Sequence, residues 1–164
     1  MIELDIKPTT EKVLIDGVIH PSPFQCEINV LLEQSSNEVD HVNNIEYIRW
    51  IDKGAQLHCD ACGWTREQLL LSDIMWFVGR HEIDYRSEAT SRDQLILSTW
   101  VEDIRRVKSN RTTLIHAIRE KPILICQCKT LWVLVDIKTK RPSPVPREMA
   151  TALDPLTKPR LARK

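Results

Sequence analysis

The residues best placed to do chemistry stand together at Asp40-His41-Val42-Asn43-Asn44, with Asn37 and Glu38 just before them. A carboxylate or an imidazole can take a proton from water, and histidine titrates where that work is needed near neutral pH. A helix start follows at once. Asn43 can accept from the amide of Glu46, which lies three positions on and can reach back, an asparagine form of the capping box. The helix therefore begins at Asn43 or Asn44. Its free amides and positive dipole end, around residues 43–45, suit an oxygen that gains negative charge during a reaction.

The elements that must hold this stretch are legible in the spacing of apolar residues. Ile45, Ile48, Asp52, Ala55, Cys59 and Cys62 recur every three or four positions, giving a helix with one mostly apolar stripe that Gly63 stops. Residues 65–71 predict a short second helix capped by Thr65. Upstream, Phe24, Cys26, Ile28 and Val30 alternate with polar neighbours, the period of a half-buried strand over 24–32. Residues 74–86, 94–101, 112–119 and 123–136 predict four more strands. In the last, Leu124, Cys126, Cys128, Thr130, Trp132 and Leu134 share the face expected to be buried. Short connections favour antiparallel pairing. The expected architecture is α+β: a five-stranded antiparallel sheet with one long helix across its face.

Composition bounds what such a domain does. The 164 residues balance 23 Lys and Arg against 23 Asp and Glu, so no overall field draws nucleic acid or an anionic membrane. With 42% hydrophobic and 28% charged residues, the chain matches a folded soluble domain and not disorder. Its four glycines form neither a dinucleotide fingerprint nor a phosphate-cradling loop. No apolar run approaches the ~20 residues of a bilayer span. The first ten residues carry Glu3, Asp5 and Lys7 and do not read as a secretory signal. Five cysteines cannot all pair within one chain, which suits a reducing, cytoplasmic setting. The expected organisation is a lead-in over 1–22, a domain over 23–148, and a basic, mobile tail over 149–164 that keeps the chain soluble.

Other motifs carry blander readings. Cys59-x-x-Cys62 and Cys126-x-Cys128 could supply four thiolates to zinc, but they fall on an apolar helix face and a buried strand face, where cysteine packs as a small hydrophobe. No metal or cofactor is expected. Tyr47 and Trp50 read as core packing first and substrate contacts second. Arg105, Arg106, Lys108 and Arg111 cluster at a predicted hairpin, either as a solvated turn or as a seat for phosphates.

The stretch from His41 to Trp50 resembles the His-Val-Asn-Asn-x-x-Tyr-x-x-Trp signature of hotdog-fold thioesterases related to 4-hydroxybenzoyl-CoA thioesterase, and is similar to that of acyl-carrier-protein thioesterases. His81-Glu82-Ile83-Asp84-Tyr85-Arg86 with Ala89, and the run 130–136 with Arg141-Pro142, extend the resemblance over roughly residues 24–148. It implies a hotdog fold, hydrolysis of acyl-CoA or acyl-carrier-protein thioesters, and a homodimer or homotetramer with sites at the subunit interface. Asn43, Asn44, Tyr47 and Trp50 would then contact substrate, and Arg105, Arg106 and Arg111 would seat coenzyme A phosphates. The resemblance also implies a catalytic Asp three residues before Asp40, where this chain has Asn37. Three alternatives follow. Asp40 or Glu38 supplies the carboxylate, which is preferred; His41 is the base with Asn37 orienting water; or the protein binds acyl thioesters without cleaving them. A partner's Glu82, Asp84 or Glu88 could complete the site. A hotdog dehydratase is disfavoured, because its Asp and His pair is not evident.

Overall fold

A computed structural model describes residues 4–36 and 38–162. Helix α1 spans Asn44–Ala61, and its two ends are set by local chemistry. Asn43 Oδ1 accepts from the Ile45 amide at 3.1 Å, one position earlier than expected. Glu46 does not close the capping box. The Asn43 amide is already bonded to the Gln34 carbonyl at 3.0 Å. The buried Glu46 carboxylate instead takes Gln34 Nε2 at 2.7 Å and Arg49 Nη1 at 3.0 Å. At the other end Gly63 adopts φ +82°, and the bonds Gly63 N–H to Asp60 O and Trp64 N–H to Cys59 O complete a Schellman cap. Helix α2, Arg66–Leu71, starts as expected with Thr65 Oγ1 accepting from the Gln68 amide.

The buried face of α1 is turned from the expected stripe. Ile45 and Ile48 are 57% and 37% exposed, whereas Tyr47, Trp50 and Ile51 are at 1% or less. The two rings remove more apolar area from water than the isoleucines could, about 1.5–3 kcal/mol per large side chain. They stack edge to face with centroids 5.4 Å apart. Where α1 crosses the sheet, a Cβ on Gly54 would lie 2.8 Å from Leu97 Cδ2, so any larger residue there would force the Leu97 side chain to shift.

Six strands form the sheet, β1 (Asp5–Pro8), β2 (Phe24–Asn29), β3 (Ile74–Tyr85), β4 (Gln94–Arg105), β5 (Lys108–Ile118) and β6 (Pro122–Asp136), in the order β1-β2-β4-β5-β6-β3. β2 runs antiparallel to β1, with Asp5 opposite Asn29, and to β4, with Phe24 opposite Thr99. The β4–β5 and β5–β6 links are too short for anything but antiparallel hairpins. Arg86 N–H to Ile125 O and Ile137 N–H to Asp73 O set β3 antiparallel to β6. The architecture is α+β as expected, with β1 as a sixth strand from the lead-in.

Strand β3 is not regular. Alternation would put Gly79 and His81 on one face. A Cβ at Gly79 would meet Val133 Cγ2 at 3.5 Å and Leu131 Cδ2 at 3.7 Å, yet His81 Nδ1 lies 2.9 Å from Thr130 Oγ1, which projects from the other face of β6. A bulge between residues 79 and 81 re-aims His81 toward the buried side.

Contacts divide the chain into two compact units. Met1–Leu57, Ile83–Thr99 and Thr113–Cys128 form one, and His58–Glu82, Trp100–Thr112 and Lys129–Lys164 the other. In the first, Tyr47, Trp50 and Ile51 pack with Leu95, Leu97, Ile115, Ile125, Cys126 and Cys128. The lead-in is strapped to that unit through Gln25, which bonds both backbone groups of Val13 and Ser98 Oγ. In the second, Cys59, Ile104, Leu134 and Val145 pack with Met149 and Ala150 of α3, Arg147–Ala152. The stretch expected to trail as a mobile tail is instead hydrogen-bonded along β4 through Leu156, Thr157 and Arg160, because β2 leaves that margin of β4 unpaired beyond Thr99.

Candidate functional site

The loop before α1 is closed at its base. Ser35 bridges Val42, the Ser36 amide bonds the His41 carbonyl at 2.9 Å, and the Val42 amide bonds the Ala89 carbonyl at 3.0 Å. These bonds hold Asp40 and His41 against the connection between β3 and β4. Asn37, where the resemblance implies a catalytic carboxylate, lies outside the described residues.

Asp40 is committed to its neighbours. Its Oδ1 accepts from the Ser91 amide at 2.9 Å and from Ser35 Oγ at 3.1 Å. The Ser91 hydrogen bond, first among the causes, holds this carboxyl below the usual aspartate range. Such a carboxylate is a poorer proton acceptor and a good staple between two loops. His41 presents Nδ1 at 3.8 Å from Glu88 Oε2, and both side chains are open to solvent. That pairing occurs within one chain, so Glu88 need not come from a partner subunit. No motif in the sequence pointed to it.

The amides at the start of α1 can be accounted for one by one. Those of Asn43, Ile45 and Glu46 go to Gln34 O, Asn43 Oδ1 and Asn43 O. Among the described residues, the Asn44 amide has no acceptor. It is the donor left at the positive end of the helix dipole. Tyr85 Oη holds the next peptide by donating to the Asn44 carbonyl at 3.3 Å, and its ring meets Tyr47 edge to face at 5.4 Å. Tyr47 and Trp50 are fully buried and shape the site through packing. Burial pushes the Tyr47 hydroxyl up to about 12.

A clamp sequence reading missed holds the opposing loop. Arg119 meets Asp93 with Nε to Oδ1 and Nη2 to Oδ2, both 2.8 Å, and Nη2 also reaches the Glu88 carbonyl at 3.1 Å. Asp93 in turn accepts from the amide and hydroxyl of Thr90. Arg119 thus braces residues 88–93, which carry both Glu88 and Ser91.

The basic cluster is not assembled as expected. Arg105 and Arg106 are exposed, but Arg111 is buried with Nη1 2.9 Å from His58 Nδ1. Burial pulls its pKa down to about 10. Since guanidinium only donates, His58 Nδ1 accepts. The phase of β5 could have shown this, because Arg111 alternates in step with the core residues Ile115 and Ala117. The five cysteines are free, and Cys62 Sγ donates to the Ala152 carbonyl at 3.1 Å. Among the described residues no group of three His, Cys, Asp or Glu could hold a metal ion. No described helix is long and apolar enough to cross a membrane.

A long helix on an antiparallel sheet, in the strand order given above, defines a hotdog-fold protein. Residues 35–153 match the family model of the thioesterase-like superfamily, and the chain belongs to that superfamily. Solved structures agree in fold. A 1,4-dihydroxy-2-naphthoyl-CoA thioesterase from Synechocystis superposes with a TM-score of 0.73 at 15% identity, covering 82% of this chain and 98% of that one. A 4-hydroxybenzoyl-CoA thioesterase variant in complex with 4-hydroxybenzoyl-CoA gives 0.75 at 14% identity, covering 80% and 99%. In sequence, the chain is 26% identical over 124 residues to a chloroplastic acyl-[acyl-carrier-protein] hydrolase from Cuphea viscosissima, matching 71% of this chain but only 30% of that hydrolase's length.

Proposed function

We propose that the protein hydrolyses acyl thioesters of coenzyme A or of a carrier protein, with His41 as the base and the Asn44 amide as the oxyanion donor. The Asn44 amide, without an acceptor among the described residues, and the His41–Glu88 pair in the loop before it carry this assignment. His41 takes a proton from water, and the hydroxide so formed attacks the thioester carbonyl carbon. The carbonyl oxygen gains the negative charge, which the Asn44 N–H and the helix dipole stabilise. Collapse of the tetrahedral intermediate breaks the carbon–sulfur bond, and the departing thiolate takes the proton back from His41. Glu88 favours the transient imidazolium from 3.8 Å, and Asp40 staples the loop in place of acting as the base. The exposed Ile45 and Ile48 offer an apolar rim to the acyl group.

A homodimer through β3 accompanies this assignment. β3 ends the sheet, and its Phe77 and Val78 are 50% and 39% exposed. A second strand there would pair its open backbone groups. The five free thiols suit a reducing compartment such as the cytoplasm.

Release of free thiol from acyl-CoA and acyl-carrier-protein panels tests the assignment. His41→Ala should lower kcat by about 10²–10⁴-fold with the fold intact. A wild-type chain that binds such thioesters and releases no thiol from any of them would make it a binding protein. That result would fit the amide at Asn37.

A further inference from the structure

We propose that the C-terminal segment, folded back on β4, builds a binding site for a phosphate-bearing ligand. The site is independent of the hydrolase assignment.

The segment is anchored by its backbone. Thr157 N–H bonds Glu102 O at 3.0 Å, Arg160 N–H bonds Ile104 O at 2.8 Å, and Arg106 N–H bonds Arg160 O at 2.7 Å. Arg160 bridges Arg105 in parallel fashion. Between segment and strand lies a cavity of about 370 Å³, walled by Arg105, Thr157, Lys158, Pro159 and Arg160 beside Asp103.

Three cationic residues, Arg105, Lys158 and Arg160, line this one cavity. Arg160 and Arg105 are bridge partners and project together. Asp103 offsets only Arg105, at 3.1 Å, and its other oxygen takes Asn110 Nδ2 at 3.0 Å. Among the described residues, Lys158 and Arg160 meet no carboxylate. Like charges opposed across strands destabilise the pairing, so the arrangement lacks a counter-charge that an anion in the cavity supplies. Guanidinium forks match phosphate oxygens two at a time, and the Lys158 ammonium adds a point charge.

The ligand class is a phosphomonoester or diphosphate, whether in a free nucleotide or at the phosphoadenosine end of coenzyme A. Calorimetric titration of inorganic pyrophosphate, adenosine 3′,5′-bisphosphate and coenzyme A into the full chain tests it. All three should bind, and all should weaken on the order of tenfold in a Lys158→Ala/Arg160→Ala double variant. Arg160→Lys should fall between. Because the segment is held by backbone bonds, the double variant should keep its Tm. Coenzyme A binding more tightly than the bisphosphate would mark coenzyme A as the source, and equal affinities a free nucleotide. Equal binding to wild type and double variant, or no heat with any of the three probes, would overturn the proposal. Thiol release is not read, so failure of the hydrolase assignment leaves this outcome unaffected.

Discussion

Replacing Arg119 by Ala removes two charge-assisted bonds to Asp93 and one to the Glu88 carbonyl. Exposed ion pairs contribute about 0.2–1 kcal/mol, but this one is bidentate and the Asp93 side chain is only 9% exposed, so about 1–2 kcal/mol is at stake. The Thr90 amide and hydroxyl both bond Oδ2 and stay in place, so the carboxylate keeps donors on that oxygen while Oδ1 loses the Arg119 bond. The Arg119 hydrogen bond, first among the causes, holds the Asp93 carboxyl below its usual range. A depressed folded-state pKa adds stability above the unfolded value of about 3.9 and loses it as pH falls through the folded one. The stability gap between wild type and Arg119→Ala should therefore be full at about pH 7 and narrow below about pH 4. Urea unfolding across that range measures it. The same 1–2 kcal/mol limits the loss of kcat to roughly 5- to 30-fold, since Arg119 acts only by bracing the loop that carries Glu88 and Ser91. Arg119→Lys should recover part of both. A pH-independent gap would refute the electrostatic account, and lower stability with unchanged kcat would refute the positioning role.

Asp40→Asn keeps an oxygen for Ser91 and Ser35, so thiol release should stay within roughly threefold of wild type; a loss as large as that of His41→Ala would restore Asp40 as the base. Gly54→Ala gains about 1 kcal/mol of helix propensity against about 1–3 kcal/mol of crowding on Leu97. Combined with Leu97→Val it should cost less than the two single changes together by urea midpoint, and additivity would refute the contact. Burial pushes Cys26 and Cys126 up to about 12 and Cys59 to about 11, so iodoacetamide at about pH 8 should modify the less buried Cys62 first, as read by intact mass. Val78→Lys should shift light-scattering mass from dimer to monomer, and an unchanged mass would exclude β3 as the interface.

What the sequence revealed was mostly local. Asn43 and Gly63 mark the ends of α1 because caps are built from neighbouring residues, and the cysteine face of β6 follows from a period of two. What stayed hidden depends on distant partners. Strand β1 has Asp5, Lys7 and Pro8 about a single inward Ile6, and only β2 makes it a strand. The polar, proline-rich C-terminal stretch has the composition of a free tail, yet its backbone fills a margin that β2 vacates. Composition does not register unpaired backbone groups elsewhere in the fold. At the candidate site, the helix-start chemistry was legible, but which amide lacks an acceptor among the described residues was not, since that depends on Gln34 reaching Asn43. Glu88 and Arg119 lie in no recognisable spacing with His41, and only the folded chain joins them.

The bulge between residues 79 and 81 also constrains what could add to β3. A neighbour adding to that outer strand must match an irregular ladder, which a twofold-related copy does by carrying the same irregularity. The opposite border of the sheet is four residues long and ends in Pro8, which has no amide to donate. Of the two borders, the short one at β1 is blunted against edge-to-edge pairing and β3 is the one left open to it.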